Sequence, residues 1–422
     1  MAASSRVVLV RDATAAPPCR TFFHMYDDDV AFILSPHGEQ AVSWTQTLDF
    51  SGRARVASAA KVREKYPDHF TAVIEVATAR AKASLKLRDC EDWVFTTEAV
   101  EQATPWRVAR HRAERLAGRV VHDLTCSVGT ELAELVRVSE NVSGSDLDPV
   151  RVAMARANVP QATVEVSDAL DPATIRAHSN AVFLADPARR ASGRRISDPA
   201  ALLPPLPDLL AALEGYGYAI KCAPGLDFDA LGHTGEVEVT SLDGGVREAC
   251  LWSTALSDGV RRRATILHSG KHGATAWTET ITDLDPQIDA AEPDAHAPAD
   301  RFIVEPDGAI VRSGLVRHWA HRHGLRQLDP RIAHLTGAQI PAGYSGFEVL
   351  EQSSLDVKKL RSRLRALDCG SLEILVRGVD KDPDVLRKKL APKGSRPLAL
   401  VVTRLADRGV AFICEARRHT TD

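Results

Sequence analysis

The chain has 422 residues, of which 44% are hydrophobic and 26% are charged. A single hydrophobic core stops growing at about 250–300 residues, so we expect two or three domains, and this composition excludes a wholly disordered or fibrous protein. The formal net charge of -3 excludes a chain that is basic throughout, so any surface for nucleic acid has to be local.

Cysteine spacing and the length of apolar runs further restrict the class of protein to which the chain can belong. The seven cysteines are odd in number and form no C-x-x-C pair, which favours reduced thiols over a disulfide framework or a zinc ribbon. No run approaches the roughly 18 apolar residues that span a bilayer. We therefore expect a cytoplasmic protein with no membrane partner. His318, His321 and His323 lack a nearby Cys or acidic ligand, so we predict no metal.

Three regions with different patterns follow one another along the chain. Residues 1–105 show helical periodicity and no strand-like apolar runs, which predicts a mostly helical N-terminal module. Residues 106–275 alternate short apolar runs with helical stretches, as in βα units on a parallel sheet. The acidic residues 276–300 predict a linker, and residues 301–422 predict a small α/β domain.

The C-terminal domain is predicted to begin with a hairpin. Residues 302–304 and 309–311 are apolar and flank the turn sequence EPDG. The remaining predicted elements of this domain are strands at 347–352, 371–377, 398–405 and 409–415 and helices at 356–367 and 383–390.

A ligand-binding loop is predicted where the first central strand, residues 119–124, meets the next helix. The connecting segment TCSVGT, 125–130, would place backbone N–H groups and a positive helix end beside a ligand. Gly129 would let that ligand approach the backbone closely. The second strand, 142–146, ends in Asp146, where a ribose diol would be bound.

Two further acids bear on the choice of ligand. Asp168 follows the third strand, where it would accept a hydrogen bond from an adenine amine or cap a helix, and the two roles are compatible. A dinucleotide loop needs G-x-G-x-x-G, but this chain has Ser127 and Leu132 at the first and third glycine positions. Asp123, at the end of the first strand, suits the ammonium of a cationic amino-acid tail instead.

The segment DLTCSVG, residues 123–129, resembles the D-L-x-x-G-x-G pattern of class I S-adenosylmethionine-dependent methyltransferases, with Ser127 replacing the first glycine. Further matches are DLDP at 146–149 and the consecutive strands 235–241 and 247–253. The resemblance implies a Rossmann-like seven-stranded sheet and S-adenosyl-L-methionine as cofactor. The cofactor-binding residues that it implies are Asp123, Thr125, Ser127, Gly129, Asp146 and Asp168.

The reactive motif of this family falls after the fourth strand, 181–185, at Asp186 and Pro187. Methyl transfer is an in-line displacement, so the protein mainly aligns the reactants and accepts the departing proton, a role that Asp186 would fill. Family members that act on amino groups of bases usually continue with a second proline and an aromatic residue, and here Ala188 and Arg189 replace them. The predicted catalytic residues are Asp186, Pro187 and Arg189, where Arg189 would hold a phosphate or stack on a base. A turn that merely ends the strand is the alternative.

A cysteine after the fifth strand, 217–221, offers a different chemistry. Cytosine-5 and uracil-5 methyltransferases of RNA place their attacking cysteine near this point, so Cys222 is a candidate nucleophile. The adjacent Lys221 would lower the pKa of its thiol. A small buried cysteine that ends a strand is the alternative.

Residues 357–396 carry twelve basic and five acidic side chains, a concentration typical of a phosphate-binding surface or of a solvated helix face. This region resembles the THUMP-like module found behind a class of bacterial methyltransferases, in the runs ILVRGV at 374–379, PDVLRKK at 383–389 and KG at 393–394. Residues 82–86 and 95–104 resemble the segment that precedes the catalytic domain in that class. The resemblance implies a base of tRNA or rRNA as substrate, with the RNA bound through 357–396. A nicotinamide-dependent oxidoreductase and a non-catalytic RNA-binding adaptor on a methyltransferase fold are the alternatives.

Overall fold

The computed structural model describes residues 25–188, 190–191, 194–195, 198–270, 276–291 and 298–420. The five helices of the N-terminal module are α1 (Asp27–Ile33), α2 (Pro36–Gln46), α3 (Ala54–Lys65), α4 (Phe70–Ala83) and α5 (Thr97–Gln102). Ser35 and Thr96 cap α2 and α5 by accepting hydrogen bonds from backbone N–H groups. Val76 and Phe95 lie in a core that also takes in Val128 of the central domain. The described part of the predicted helical module is therefore helical and packs against its neighbour.

The central region alternates strands and helices. Its helices are α6 (Trp106–Arg115), α7 (Thr130–Leu135), α8 (Pro149–Asn158), α9 (Pro172–Ala177) and α10 (Leu206–Ala212). Its strands are β1 (Val121–Asp123), β2 (Val142–Asp146), β3 (Thr163–Val166), β4 (Val182–Ala185), β5 (Arg190–Ala191), β6 (Arg194–Arg195), β7 (Tyr218–Cys222), β8 (Glu236–Leu242), β9 (Gly245–Trp252), β10 (Arg262–His268) and β11 (Trp277–Thr282).

Nine of these strands form one sheet in the order β3-β2-β1-β4-β7-β9-β8-β10-β11. The first five strands in this order run parallel, and β9 runs antiparallel to both β7 and β8. The chain order reverses between β1 and β4, and in open α/β sheets ligands bind at the carboxyl ends of the strands at such a point. The predicted Rossmann-like fold is confirmed, and the loops that carry the predicted site residues meet at this edge.

The sheet has nine strands instead of the predicted seven, because β10 pairs with β8 and β11 pairs with β10. Residues 277–282 had been assigned to the acidic linker, and that assignment is wrong for them. Their sequence WTETIT carries few apolar residues, which suits an edge strand of which Ile281 is fully buried. Acidic residues begin directly after the strand, where Asp285 accepts a hydrogen bond from the N–H of Thr282.

A second sheet occupies the C-terminal region. Its strands are β12 (Phe302–Val304), β13 (Arg326–Asp329), β14 (Ile332–Gly337), β15 (Ser345–Ser354), β16 (Cys369–Arg377), β17 (Arg396–Leu405), β18 (Arg408–Glu415) and β19 (Arg418–His419). Its helices are α11 (Gly308–Ser313), α12 (Val316–Arg322), α13 (Val357–Ala366) and α14 (Pro383–Leu390). The strand order is β13-β14-β12-β15-β18-β17-β16, with β19 paired to β15. The elements predicted from 347 to 415 are all present.

The predicted hairpin at 302–311 is wrong. The apolar segment 309–311 lies inside α11, because the side chain of Asp307 accepts a hydrogen bond from the N–H of Ala309 and starts a helix where a reverse turn was expected. Helix α11 packs on β8 and β10, and Ile310 and Trp319 share one core with Phe183 of the central sheet. The first part of the C-terminal region therefore covers the central sheet.

Among the residues that the structure describes, no helix is both long enough and apolar enough to cross a membrane.

Candidate active site

A cavity of about 570 Å³ lies at the carboxyl ends of β1 to β4. Residues 99 and 101–104 of the N-terminal module also line this cavity, and the sequence interpretation did not include them in the site. The predicted site residues that line it are Asp123, Thr125, Ser127, Asp146, Asp168, Asp186 and Pro187. The fold thus brings together acids that are separated by up to 63 positions in the chain.

The loop between β1 and α7 adopts a tight turn. Ser127 has a φ of 50° and Gly129 a φ of 91°, so both residues occupy the left-handed region. A serine there costs on the order of 1 kcal/mol. The N–H of Ser127 donates to Oδ2 of Asp146 at 2.9 Å, and this charge-assisted bond offsets the cost. A Cβ atom on Gly129 would lie 3.0 Å from Val159, so glycine serves the turn's shape without lining the cavity.

Asp146 closes the end of β2 against this loop. Its Oδ2 accepts from Ser127, and its Oδ1 accepts from the N–H of Asp148 at 3.0 Å. Each carboxylate oxygen accepts two hydrogen bonds, so both oxygens retain capacity for a ligand in the cavity. The carboxylate is therefore held rigidly and can still receive the two hydroxyls of a ribose.

Asp123 is a buried carboxyl, 2% exposed, and it accepts a hydrogen bond from the N–H of Thr125 at 3.0 Å. Burial raises the pKa of Asp123 to about 7, and the nearby carboxylates of Glu131 and Asp186 act in the same direction. A cationic ligand beside it would favour the ionised form. This buried acid fits the ammonium of S-adenosylmethionine, and Asp146 fits its ribose.

Asp168 lies at the exposed rim of the cavity, where its Oδ1 accepts from the N–H of Leu170 at 2.9 Å. The helix that follows is α9, and its N-cap is Asp171, whose side chain accepts from the N–H of Ala173. The alternative in which Asp168 caps this helix is therefore wrong, and its carboxylate is placed to meet a ligand.

Asp186 connects the end of β4 to the rest of the site. Its N–H donates to Oγ1 of Thr125 at 2.7 Å, which ties this residue to the loop after β1. Its side chain is 35% exposed, and Oδ2 accepts from Nζ of Lys221 at 2.6 Å. Pro187 is buried next to it and lines the cavity. Arg189, the third predicted catalytic residue, lies outside the described residues.

A buried ion network underlies Asp186, and the sequence interpretation missed it. Nζ of Lys221 also lies 3.2 Å from Oε1 of Glu131, which in turn accepts from Arg112 at 2.8 Å. Arg112 forms a second buried ion pair with Glu248. Although burial opposes these shifts, the charges of Arg112 and Lys221 lower the pKa of Glu131 to about 2, and the facing carboxylates raise the pKa of Lys221. Arg112, Glu131 and Lys221 are therefore ionised at neutral pH.

Cys222 lies on the other side of β7. Consecutive strand residues point to opposite faces, so Lys221 reaches the cavity while Cys222 packs in the apolar core beside Leu124 and Phe183. The ammonium of Lys221 pairs with carboxylates on the cavity side. This geometry does not support the predicted attack by the Cys222 thiol.

Outside the cavity, the potential metal-ligating atoms of His122, Glu165 and His178 lie within 4.8 Å of one another. The two ring nitrogens of His122 lie 2.8 and 3.1 Å from the hydroxyls of Ser143 and Ser145, and His178 lies 3.1 Å from Glu165. Each atom has a partner within the protein, so the arrangement requires no ion.

Comparisons with known proteins identify the family of the chain. Residues 344–416 match the family of THUMP domain-like sequences. Two curated relatives from Mycobacterium tuberculosis, strains CDC 1551 / Oshkosh and ATCC 25618 / H37Rv, are both described as uncharacterized S-adenosylmethionine-dependent methyltransferases. Each is 48% identical over 377 residues, which cover 85% of this chain and 100% of the relative.

A crystal structure from Porphyromonas gingivalis W83, described as that of a candidate methyltransferase, has the same fold. It superimposes with a TM-score of 0.70 at 18% identity and covers 92% of this chain and 98% of its own. The relatives contradict the alternative of a nicotinamide-dependent oxidoreductase, in line with the missing dinucleotide glycines around Ser127. The chain belongs to the S-adenosylmethionine-dependent methyltransferases and carries a THUMP-like region near its C-terminus.

Proposed function

We propose that this enzyme methylates a base of RNA, in tRNA or rRNA, and that it acts in the cytoplasm. The observation that carries the proposal is the combination of an acid-lined donor cavity with an exposed, unneutralised basic surface on the THUMP-like region. The cavity supplies the chemistry, and the basic surface supplies affinity for a polyanion.

In this proposal the three strand-end acids hold the methyl donor. Asp146 binds the ribose hydroxyls, Asp168 accepts from the amine of the adenine, and Asp123 pairs with the ammonium. The bound donor supplies an electrophilic methyl group. Asp186 faces the acceptor and takes up its proton, and Pro187 fixes the backbone that presents this carboxylate.

The RNA-binding surface in this proposal consists of side chains on and next to α13 and α14 that have no carboxylate partner among the described residues. Arg363, Arg387 and Arg396 are neutralised by ion pairs with acids of the same region. In the described part of the chain, no ion pair neutralises the remaining exposed cations, which are Lys358, Lys359, Arg361, Arg365, Lys381, Lys388, Lys389 and Lys393. We call this set the basic surface. It supports contacts with several phosphates at once.

Two features of the sequence favour the alternative of a non-catalytic adaptor. They are Ser127 in place of the first glycine of the loop and the incomplete reactive motif after Asp186. Ser127 adopts the left-handed conformation that a glycine would take, and its N–H completes the turn through Asp146. The loop therefore keeps a form that accommodates a donor, which favours the enzyme over the adaptor.

The test is methyl transfer to RNA. Purified protein is incubated with methyl-labelled S-adenosylmethionine and total RNA from cells that lack this protein, and the digested nucleosides are separated and identified. We expect label in one modified base and none with Asp186→Asn. Label that appears in protein or DNA fractions and never in RNA would refute the proposal.

A further inference from the structure

The ammonium of Lys221 has no unused donor. A lysine ammonium carries three N–H groups, and here these face Oγ1 of Thr104, Oε1 of Glu131 and Oδ2 of Asp186. Its side chain is 6% exposed. Because the ammonium is buried and has three fixed acceptors, it has one orientation and holds the carboxylate of Asp186 in place.

The three acceptors come from separate elements. Thr104 precedes α6, Glu131 lies in α7 and Asp186 follows β4, and Glu131 is itself fixed by the guanidinium of Arg112. The charged groups that face Lys221 are Asp186, Glu131, Glu248, Arg112, Asp123 and Lys86. Negative charge prevails among these neighbours, which keeps the ammonium protonated.

The two oxygens of Asp186 differ in their surroundings. Oδ2 is taken by Lys221, whereas Oδ1 has no hydrogen-bond partner in the part of the chain that the structure describes. The residue lines the cavity, so one oxygen is tied and the other is open to a ligand. An ionised carboxylate accepts hydrogen bonds and donates none. A group that binds to Oδ1 therefore has to bring its own hydrogen.

Methylation of a carbon atom would need a different catalytic group. Methylation of a pyrimidine carbon by thiol addition requires a thiolate in the cavity. Within the described ranges, the cysteine that lines the cavity is Cys126, and burial raises the pKa of its thiol well above the usual value. Cys222 packs in the core. Among its described lining residues, the cavity thus offers a hydrogen-bond acceptor and no activated cysteine.

We propose that Lys221 is a positioning residue for methyl transfer and that the acceptor is a base nitrogen that carries N–H, such as an exocyclic amine. This inference rests on the proposed RNA function. The N–H donates to Oδ1 of Asp186 while the nitrogen lone pair forms the new bond to carbon. The carbon–sulfur bond breaks, its electron pair remains on sulfur, and the proton passes from nitrogen to Asp186 and then to water.

Removal of the ammonium tests the positioning role. Lys221→Met removes the ammonium that fixes Oδ2 of Asp186, so the carboxylate is no longer held with Oδ1 open toward the acceptor N–H. We expect kcat on total RNA to fall about 100-fold, with donor affinity by calorimetry within about threefold of the original. Lys221→Gln is measured in parallel, and Lys221→Arg, which keeps the charge and N–H donors, should retain more activity. Lys65→Met, outside the cavity, is the control with unchanged kcat.

A second readout needs no turnover. Melting temperatures of Lys221→Met, Asp186→Asn and the double variant form a cycle, in which the double variant should lose less than the sum of the single losses because both charges of the pair are gone. Additive losses would overturn the positioning role, as would a kcat of Lys221→Met that matches the original protein or a Lys221→Arg variant that is no more active than Lys221→Met.

The product tests the acceptor class separately. An N-methylated base supports the inference, whereas a carbon-methylated base or a methylated ribose oxygen overturns it and leaves RNA methylation standing. A protein that methylates no RNA contradicts the proposed function itself.

Discussion

The floor of the cavity and the basic surface are two charged regions built in opposite ways. At the cavity and directly beneath it, Lys221, Glu131 and Arg112 are buried and paired. Their charges therefore act on the groups to which they are hydrogen-bonded and are shielded from salt. On α13 and α14, cations such as Lys358 and Lys388 are exposed and have no carboxylate partner in the described ranges, so they act at long range and are screened by salt. Buried pairs fix geometry and protonation, and exposed charges supply attraction.

The largest effect is expected from the loss of the carboxylate that faces the acceptor. Asp186→Ala should lower turnover by about three orders of magnitude, because proton acceptance by a positioned group contributes typically 10²–10⁴-fold. Donor affinity should stay within a few-fold, since Asp123 and Asp146 remain. A labelled-methyl assay and calorimetry separate the two quantities. Retention of full activity would remove Asp186 from the mechanism.

A smaller effect is expected at the donor end of the cavity. Asp146→Ala removes a charged acceptor that also fixes the turn at Ser127, and we expect donor affinity to fall about 10- to 100-fold by calorimetry. Asp171→Ala is the matched control, because Asp171 caps α9 outside the cavity lining and its loss should cost about 1 kcal/mol of stability and leave the affinity unchanged. Equal affinities for the two variants would reject the role of Asp146.

RNA binding through the basic surface should weaken strongly as the salt concentration rises. Reversal of Lys358, Lys359, Lys388 and Lys389 to Glu should weaken RNA binding by at least about tenfold at 0.1 M salt and flatten the slope of log affinity against log salt. Reversal of Arg363 and Arg396, which are already paired with acids, is the control with a smaller effect. A slope unchanged by the four reversals would place the RNA elsewhere.

The smallest expected effect is a pH dependence of donor binding. Because burial holds the pKa of Asp123 at about 7 in the empty site, the carboxyl must lose a proton before it can pair with the donor ammonium. Affinity should therefore rise roughly tenfold from pH 6 to pH 8, with release of a proton on binding. Asp123→Asn should bind more weakly and show no such rise. A pH-independent affinity in the original protein would contradict the pairing.

The parts of the site that were predicted from the sequence are local. Asp123, Asp146 and Asp186 each lie at the end of a predicted strand, and parallel strands bring such ends to one edge, so the prediction of each strand was enough to place its acid. Lys221 was seen as a neighbour of Cys222, because its partners Asp186 and Thr104 lie 35 and 117 positions away in the chain. A lysine inside the apolar strand YAIKC was the available signal.

The errors in the predicted fold also arise from contacts between residues that are far apart in the chain. The sequence EPDG suits both a reverse turn and a helix start, and packing of Ile310 against the central sheet selects the helix. Strand β11 lacks an apolar run because it lies at the edge of the sheet, and its Glu279 is satisfied by Trp319 and His323 from α12 and its C-terminal end. Since Phe302, Ile310 and Ile340 share the central core and the family match starts at 344, we propose that the THUMP-like unit begins near 344 and not at 301.

The most direct measurement is a crystal structure of the protein with S-adenosylhomocysteine. We expect the product to lie in the cavity after β1, with its ribose hydroxyls on Asp146, its ammonium beside Asp123 and its sulfur directed toward Asp186. Binding of the product at another place, or in an orientation that turns its sulfur away from Asp186, would contradict this expectation.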